Sequence, residues 1–129
     1  MVTRPIPSSG ETIPVIGMGT WVTFNIGHNQ KIRLARCQVL DTFFRMGGVM
    51  VDSSPMYGSS EEVVGHCMSN LQPPEPVFAT TKVWTSSTDE GRIQIQNSFD
   101  LWRINTFGLS VRRSWAGRWG LSTASLPRT

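Results

Sequence analysis

The spacing of apolar and polar residues changes several times along this chain, and each change marks an element. Ile6 on one side of Ser8-Ser9-Gly10, and Ile13, Val15 and Ile16 on the other, form short extended runs around a turn cluster, which predicts an N-terminal hairpin. Pro5, Pro7 and Pro14 confine its strands to an edge or a sheet end, because proline donates no ladder hydrogen bond. Gly17-Met18-Gly19-Thr20-Trp21 closes that stretch, and its two glycines fit a tight bend or a close backbone approach to a ligand. Residues 29–46 then take a helical period. Asn29 is placed to cap the helix and Gly47-Gly48 to stop it. Ile32, Val39, Leu40, Phe43 and Met46 define an apolar face, with Lys31, Arg33, Asp41 and Arg45 pointing outward.

Val49-Met50-Val51 reads as a buried strand with Asp52 at its end. Ser59 and Glu62 have the spacing of a capping box that opens a second helix, through about Asn70. Val63, Val64, Cys67 and Met68 form its apolar face. Pro73-Pro74-Glu75-Pro76 is a stiff linker, Val77-Phe78-Ala79-Thr80-Thr81 the next strand, and Lys82 lies near its end. Ser87 and Glu90 make a second capping box before a helical rhythm that runs to Arg103. Phe107-Gly108-Leu109-Ser110-Val111 fits a short strand, and beyond it neither period persists.

Strands that alternate with helices predict βαβ units on a parallel sheet, an α/β fold. The step from Asp52 to Lys82 is 30 residues, the length of one such unit. Composition narrows the class further. The chain has 129 residues, 39% hydrophobic and 16% charged, and no apolar run near the ~20 residues of a membrane span. Its start shows no apolar stretch of the secretory type, so a cytoplasmic location is expected. The net charge of +3 is unevenly spread. Residues 1–100 carry seven basic residues against nine acids, whereas residues 101–129 carry five arginines and no acid. The basic character therefore belongs to the tail. Scattered arginines without a recognition motif give no reason to expect a nucleic-acid partner.

Cys37 and Cys67 lie outside any metal-ligand spacing and are expected as reduced, partly buried thiols, with no metal site. His28 reads as a solvated loop residue and His66 as packing within the second helix. Asp52, Tyr57 and Lys82 are different, because two of them fall at the C-terminal ends of successive strands, where α/β folds gather functional side chains. An ammonium beside a phenol favours the phenolate, and a carboxylate beside the ammonium holds it in place. Such a trio can hand a proton to the oxygen of a carbonyl whose carbon receives hydride. The same residues also suit a loop cap, a packing tyrosine and a solvated lysine.

The local wording favours the chemical reading. Ile13-Pro14-Val15-Ile16-Gly17-Met18-Gly19-Thr20-Trp21, then Val51-Asp52-Ser53-Ser54-Pro55-Met56-Tyr57-Gly58-Ser59-Ser60-Glu61, then Thr80-Thr81-Lys82-Val83-Trp84, resemble the aldo-keto reductase family in order and separation. The likeness spans roughly residues 5–103. It implies part of an eight-stranded (β/α)8 TIM barrel of about 250 residues, an N-terminal hairpin plus three βα units. It further implies NADPH-dependent reduction of aldehydes or ketones, with a small-molecule carbonyl substrate. Tyr57 would be the proton donor, Lys82 would ease loss of its proton, and Asp52 would pair with Lys82. Gly19, Thr20 and Trp21, with Asp52, would line the nicotinamide end of the cofactor.

The sequence also departs from the family. A histidine is expected one βα unit past Lys82, near Trp115, but His28 and His66 both lie upstream. Residues 1–104 are thus expected to be the N-terminal part of a truncated barrel. Residues 105–129 are expected to be a divergent basic tail, disordered or misread through a shifted frame or gene end. The chain alone is expected to be inactive. The alternative is a non-catalytic NADPH-binding or regulatory protein on the same fold.

Overall fold

The computed structural model describes residues 2–7, 10–73, 77–113 and 119–125. The hairpin expected at the N-terminus is formed by β1 (Thr3–Pro5) and β2 (Thr12–Pro14), antiparallel, with Thr3 opposite Pro14 and Pro5 opposite Thr12. Ser8 and Ser9 of its turn lie outside the described residues, as do Pro74 to Pro76 of the linker. Among the described residues the main sheet has five strands in the order of the chain: β3 (Met18–Gly19), β4 (Met50–Asp52), β5 (Phe78–Val83), β6 (Thr106–Arg113) and β7 (Trp119–Ser125). The first four pair in parallel, whereas β7 returns antiparallel to β6. Helices α1 (Gln30–Arg45), α2 (Ser60–Asn70) and α3 (Thr88–Trp102) supply the crossovers. This is the expected α/β arrangement of hairpin plus three βα units. The five strands form an open sheet and not a closed barrel.

Each helix begins where the sequence provides a cap, but not always by the expected bond. Asn29 accepts from the Ile32 N–H at 3.2 Å, and Ser87 accepts from the Glu90 N–H at 3.3 Å. The box expected at α2 does not form. Ser59 makes no cap bond and turns to the β3–α1 loop, donating to Asn25 Oδ1 and accepting from the Gly27 N–H. Glu62 is drawn to Arg33 at 2.7 Å.

The expected apolar face of α1 is also rotated. Arg33, Cys37, Leu40 and Phe44 are buried, while Ile32, Val39 and Met46 are exposed. Arg33 can be buried because its guanidinium donates to the Gly27 carbonyl and to Glu62.

The core lies between the helices and one face of the sheet. Leu40 and Phe44 from α1, Val63, Val64 and Cys67 from α2, and Phe99 and Trp102 from α3 pack on Val51, Ala79 and Phe107. Cys37 and Cys67, expected as thiols, are joined as a disulfide across the α1–α2 seam, with their Cα atoms 4.9 Å apart. Sequence spacing cannot reveal this pairing, because packing of the two helices creates the proximity. The tail region, expected to be divergent and disordered or misread, carries β6 and β7. Ser114 to Arg118 and residues 126–129 lie outside the described residues.

Candidate active site

Parallel register builds the site. β4 and β5 pair with Asp52 opposite Thr80, so Lys82, two residues on, shares the face of Asp52 at the C-terminal edge of the sheet. The Lys82 ammonium donates to both oxygens of Asp52, at 2.9 and 2.8 Å, and to the Ser53 carbonyl at 2.9 Å. Its three protons are thereby directed at three oxygens. Thr80 adds a donor to Asp52 Oδ1 at 2.6 Å, so the carboxylate is held from both flanks.

Tyr57 stands in the β4–α2 loop, half-buried. Its backbone N–H donates to the Ser54 carbonyl at 3.0 Å, and its carbonyl accepts from the N–H of Ser60, the first residue of α2. Lys82 Nζ lies 5.0 Å from the centre of the Tyr57 ring, within cation–π range. The Trp21 ring meets Tyr57 edge-on, with centroids 4.7 Å apart. Asp52, Lys82, Tyr57 and Trp21 are therefore one connected group, gathered from the ends of three adjacent strands.

The other expected residues hold distinct positions. Gly19 pairs with Asp52 in the parallel register. A Cβ at Gly19 would meet nothing within 4 Å, so the space beside the strand end is open among the described residues. Thr20 is fully buried, and its hydroxyl lies within hydrogen-bond distance of Ser53 Oγ at 2.8 Å and the Asp52 carbonyl at 3.0 Å. Ser60 Oγ in turn donates to the Thr20 carbonyl. Thr20 thus joins the β3 end to the β4 end and to α2. Trp21 is largely exposed, and Val22 beside it adopts a left-handed φ of 61°.

Three supporting features escape sequence reading. Thr80 and Ser53 look like filler polar residues but bind the Asp52–Lys82 pair directly. Asn25 accepts from both the N–H and the hydroxyl of Ser59, clamping the Trp21 loop to the start of α2. Glu61 is buried and accepts from Thr81 at 2.6 Å, Ser98 at 3.0 Å and Trp102 Nε1 at 3.2 Å. Burial pushes its carboxyl above the usual range, outweighing those three donors and the Lys82 charge. The only legible signal for this web is a run of polar residues, Thr80-Thr81-Lys82, inside a strand that the pattern places in the core.

His28 is exposed, 3.6 Å from Glu62, and His66 is half-buried on α2. No group of three or more potential metal ligands occurs among the described residues. No helix among them is long and apolar enough to cross a membrane.

The fold has counterparts in known proteins. The structure resembles a thermostable aldo-keto reductase in complex with the inhibitor epalrestat, with a TM-score of 0.71 and 23% identity over 83% of this chain and 40% of that one. It also resembles a putative aldo-keto reductase from Pseudomonas aeruginosa, with a TM-score of 0.71 and 21% identity over 88% of this chain and 48% of that one. A Bombyx mori aldo-keto reductase in complex with NADP matches with a TM-score of 0.64 and 20% identity, over 90% of this chain and 40% of that one. The chain thus spans less than half the length of each of these three proteins. No curated protein matches it. The aldo/keto reductase family model matches residues 15–106, which contain every residue of the group around Lys82, and the chain belongs to that family.

Proposed function

We propose that residues 1–104 are the N-terminal part of an NADPH-dependent oxidoreductase that reduces aldehydes or ketones to alcohols, with Tyr57 as the proton donor. The carrying observation is the Lys82 ammonium, fixed by Asp52 on one side and facing the Tyr57 ring on the other. As a carbonyl carbon gains hydride, the C=O π pair moves to its oxygen, and that developing alkoxide takes the phenol proton. The phenolate left on Tyr57 is then balanced by the charge of Lys82. Asp52 keeps that ammonium in place, and Thr80 and Ser53 keep the pair from swinging out. NADPH supplies the hydride when bound.

The residues present suit the nicotinamide end of such a cofactor. Open space beside Gly19, the exposed Trp21 ring and the Asp52 carboxylate border the same strand ends. The NADP named in the complex of the Bombyx mori relative supports this choice of coenzyme. The substrate is a small carbonyl compound, and the location that suits this chemistry is the cytoplasm.

The division after residue 104 belongs to the same proposal, and the end of the family match at residue 106 supports it. A strand that turns back antiparallel after β6, in place of a further βα unit, supports the reading that these 129 residues alone do not turn over. The lack of a histidine after Lys82 favours a second reading, nicotinamide binding without catalysis.

One chimera tests the proton donor. Residues 1–104 replace the corresponding portion of the Pseudomonas aeruginosa relative, and NADPH oxidation with a simple aldehyde is followed. Activity in the chimera that falls by about 100-fold or more in Tyr57→Phe supports the assignment. An active chimera indifferent to that change refutes it. Titrating NADPH into the unaltered chain, with tryptophan fluorescence as the signal, separates the two readings. Saturable binding by this chain alone supports the second reading, and no binding supports the first.

A further inference from the structure

Cys37 lies in the middle of α1 and Cys67 in the last turn of α2, both buried, and their bond closes a loop of chain that contains β4, Asp52 and Tyr57. Each bridged helix also holds one loop of the candidate site. From α1, Arg33 donates to the Gly27 carbonyl and Arg36 to the Thr23 carbonyl, which anchors the loop bearing Trp21. At the start of α2, the Ser60 N–H donates to the Tyr57 carbonyl, which holds the loop bearing Tyr57, and Ser60 Oγ also donates to the Thr20 carbonyl. A covalent link between the helices therefore ties the Trp21 loop to the Tyr57 loop through their two supports.

The rest of the framework does not depend on that link. The parallel pairing of β3, β4 and β5, the Glu61 web and the Arg33–Glu62 ion pair involve neither sulfur. Two thiols in the same seam would still pack as small apolar groups. Reduction should then loosen the seam and leave the fold in place.

We propose that Cys37 and Cys67 form a reversible thiol–disulfide latch that sets the mobility of the Tyr57 loop. The proposal is independent of the carbonyl chemistry assigned above. The oxidant is a low-molecular-weight disulfide of the glutathione class. Cys37, the less completely buried of the two, attacks one sulfur of the oxidant as its thiolate, which forms a mixed disulfide and expels one thiolate. The Cys67 thiolate then attacks the Cys37 sulfur, forming the Cys37–Cys67 bond and expelling the second thiolate. The protein loses two electrons and two protons, and the oxidant becomes two thiols. Both sulfurs are buried, so exchange proceeds through local opening of the seam.

The test uses the whole 129-residue chain, equilibrated at graded ratios of reduced to oxidised glutathione, quenched, unfolded and alkylated. Intact mass should pass from two labels to none as the ratio falls, without an accumulating mixed disulfide. Two labels at every ratio, or none at every ratio, overturns the proposal. Hydrogen exchange of the two end states is then compared. Closing a loop of this size should slow exchange in residues 53–59 by about ten- to a hundred-fold and raise the melting temperature by roughly 10 °C. Equal exchange in the two states overturns the proposal even if the bond forms. Cys37→Ser should show the faster exchange at every glutathione ratio. If that variant does not fold, the comparison of wild-type end states decides alone.

Discussion

Lys82 shows how far a single residue constrains the site. With three protons and three neighbouring oxygens, its ammonium has one arrangement that satisfies them all, so its position over Tyr57 is inherited from the backbone of β4 and β5. Val22 is the opposite case. Its φ of 61° is unfavourable for a β-branched side chain, and its side chain is exposed, so packing gives little in return. The strain sits directly beside Trp21, whose ring reaches Tyr57. Val22→Asn, which tolerates the left-handed region, should stabilise the chain by about 1 kcal/mol, read from the midpoint of urea unfolding. A midpoint that does not move would mean that the strained backbone relaxes freely in solution.

At the scale of elements, α2 carries most of the cross-links. Gly65 lies against the backbone of α3, where a Cβ would collide with the Leu101 carbonyl. Backbone cannot rotate aside as a side chain can, so Gly65→Ala should cost about 2–3 kcal/mol by pushing α2 off α3. Thermal melting checks this, and an unchanged transition would show that the helices separate easily.

The adjacent acids Glu61 and Glu62 should respond to pH in opposite senses. Glu61 titrates above the usual value of 4.5 because of burial, so its ionisation penalises the fold. That penalty is removed as pH falls through the raised value toward 4.5. Glu62 titrates below 4.5 because Arg33 donates to it, so its contribution is complete above 4.5 and is lost as pH falls further. Urea unfolding between pH 7 and 3.5 should show wild type gaining on Glu61→Gln as pH falls toward 4.5, then levelling. Against Glu62→Gln, wild type should hold constant above 4.5 and lose below. Parallel curves for either pair would remove that carboxyl from the account.

The same helices show what a single sequence can reveal. The α1 boundaries follow from Asn29 and Gly47, which act locally, and both lie within a residue or two of the helix ends. Its buried face does not follow. Arg33 reads as an outward charge until Glu62 and the Gly27 carbonyl, supplied by tertiary packing, make its burial possible. Likewise, Asp52 and Lys82 are legible as a pair because strand ends one βα unit apart become neighbours in a parallel sheet. Glu61, whose partners Thr81, Ser98 and Trp102 come from β5 and α3, leaves no periodic trace, and neither does the Cys37–Cys67 bond.

For the molecule as a whole, the open question of the sequence was where the family fold stops. The family match ends at Thr106, the first residue of β6, yet the core continues one residue further. Phe107 is fully buried, 4.9 Å from the Phe99 ring and 5.5 Å from the Trp102 ring, centre to centre. β6 pairs in parallel with β5 from Thr80 to Val83, so the strand that carries Lys82 is an interior strand and not an edge. An edge strand at β5 would leave its backbone groups unpaired and uncover the rings of α3. β6 therefore acts as a lid on the core, whatever the origin of the sequence that forms it. Phe107→Ala should cost about 3–5 kcal/mol, the range for removing a buried aromatic ring. It should also loosen Lys82 through β5, so hydrogen exchange of residues 78–83 should rise along with the lost stability. A variant as stable as wild type, with unchanged exchange in β5, would place the fold boundary before residue 106 and make β6 dispensable to the site.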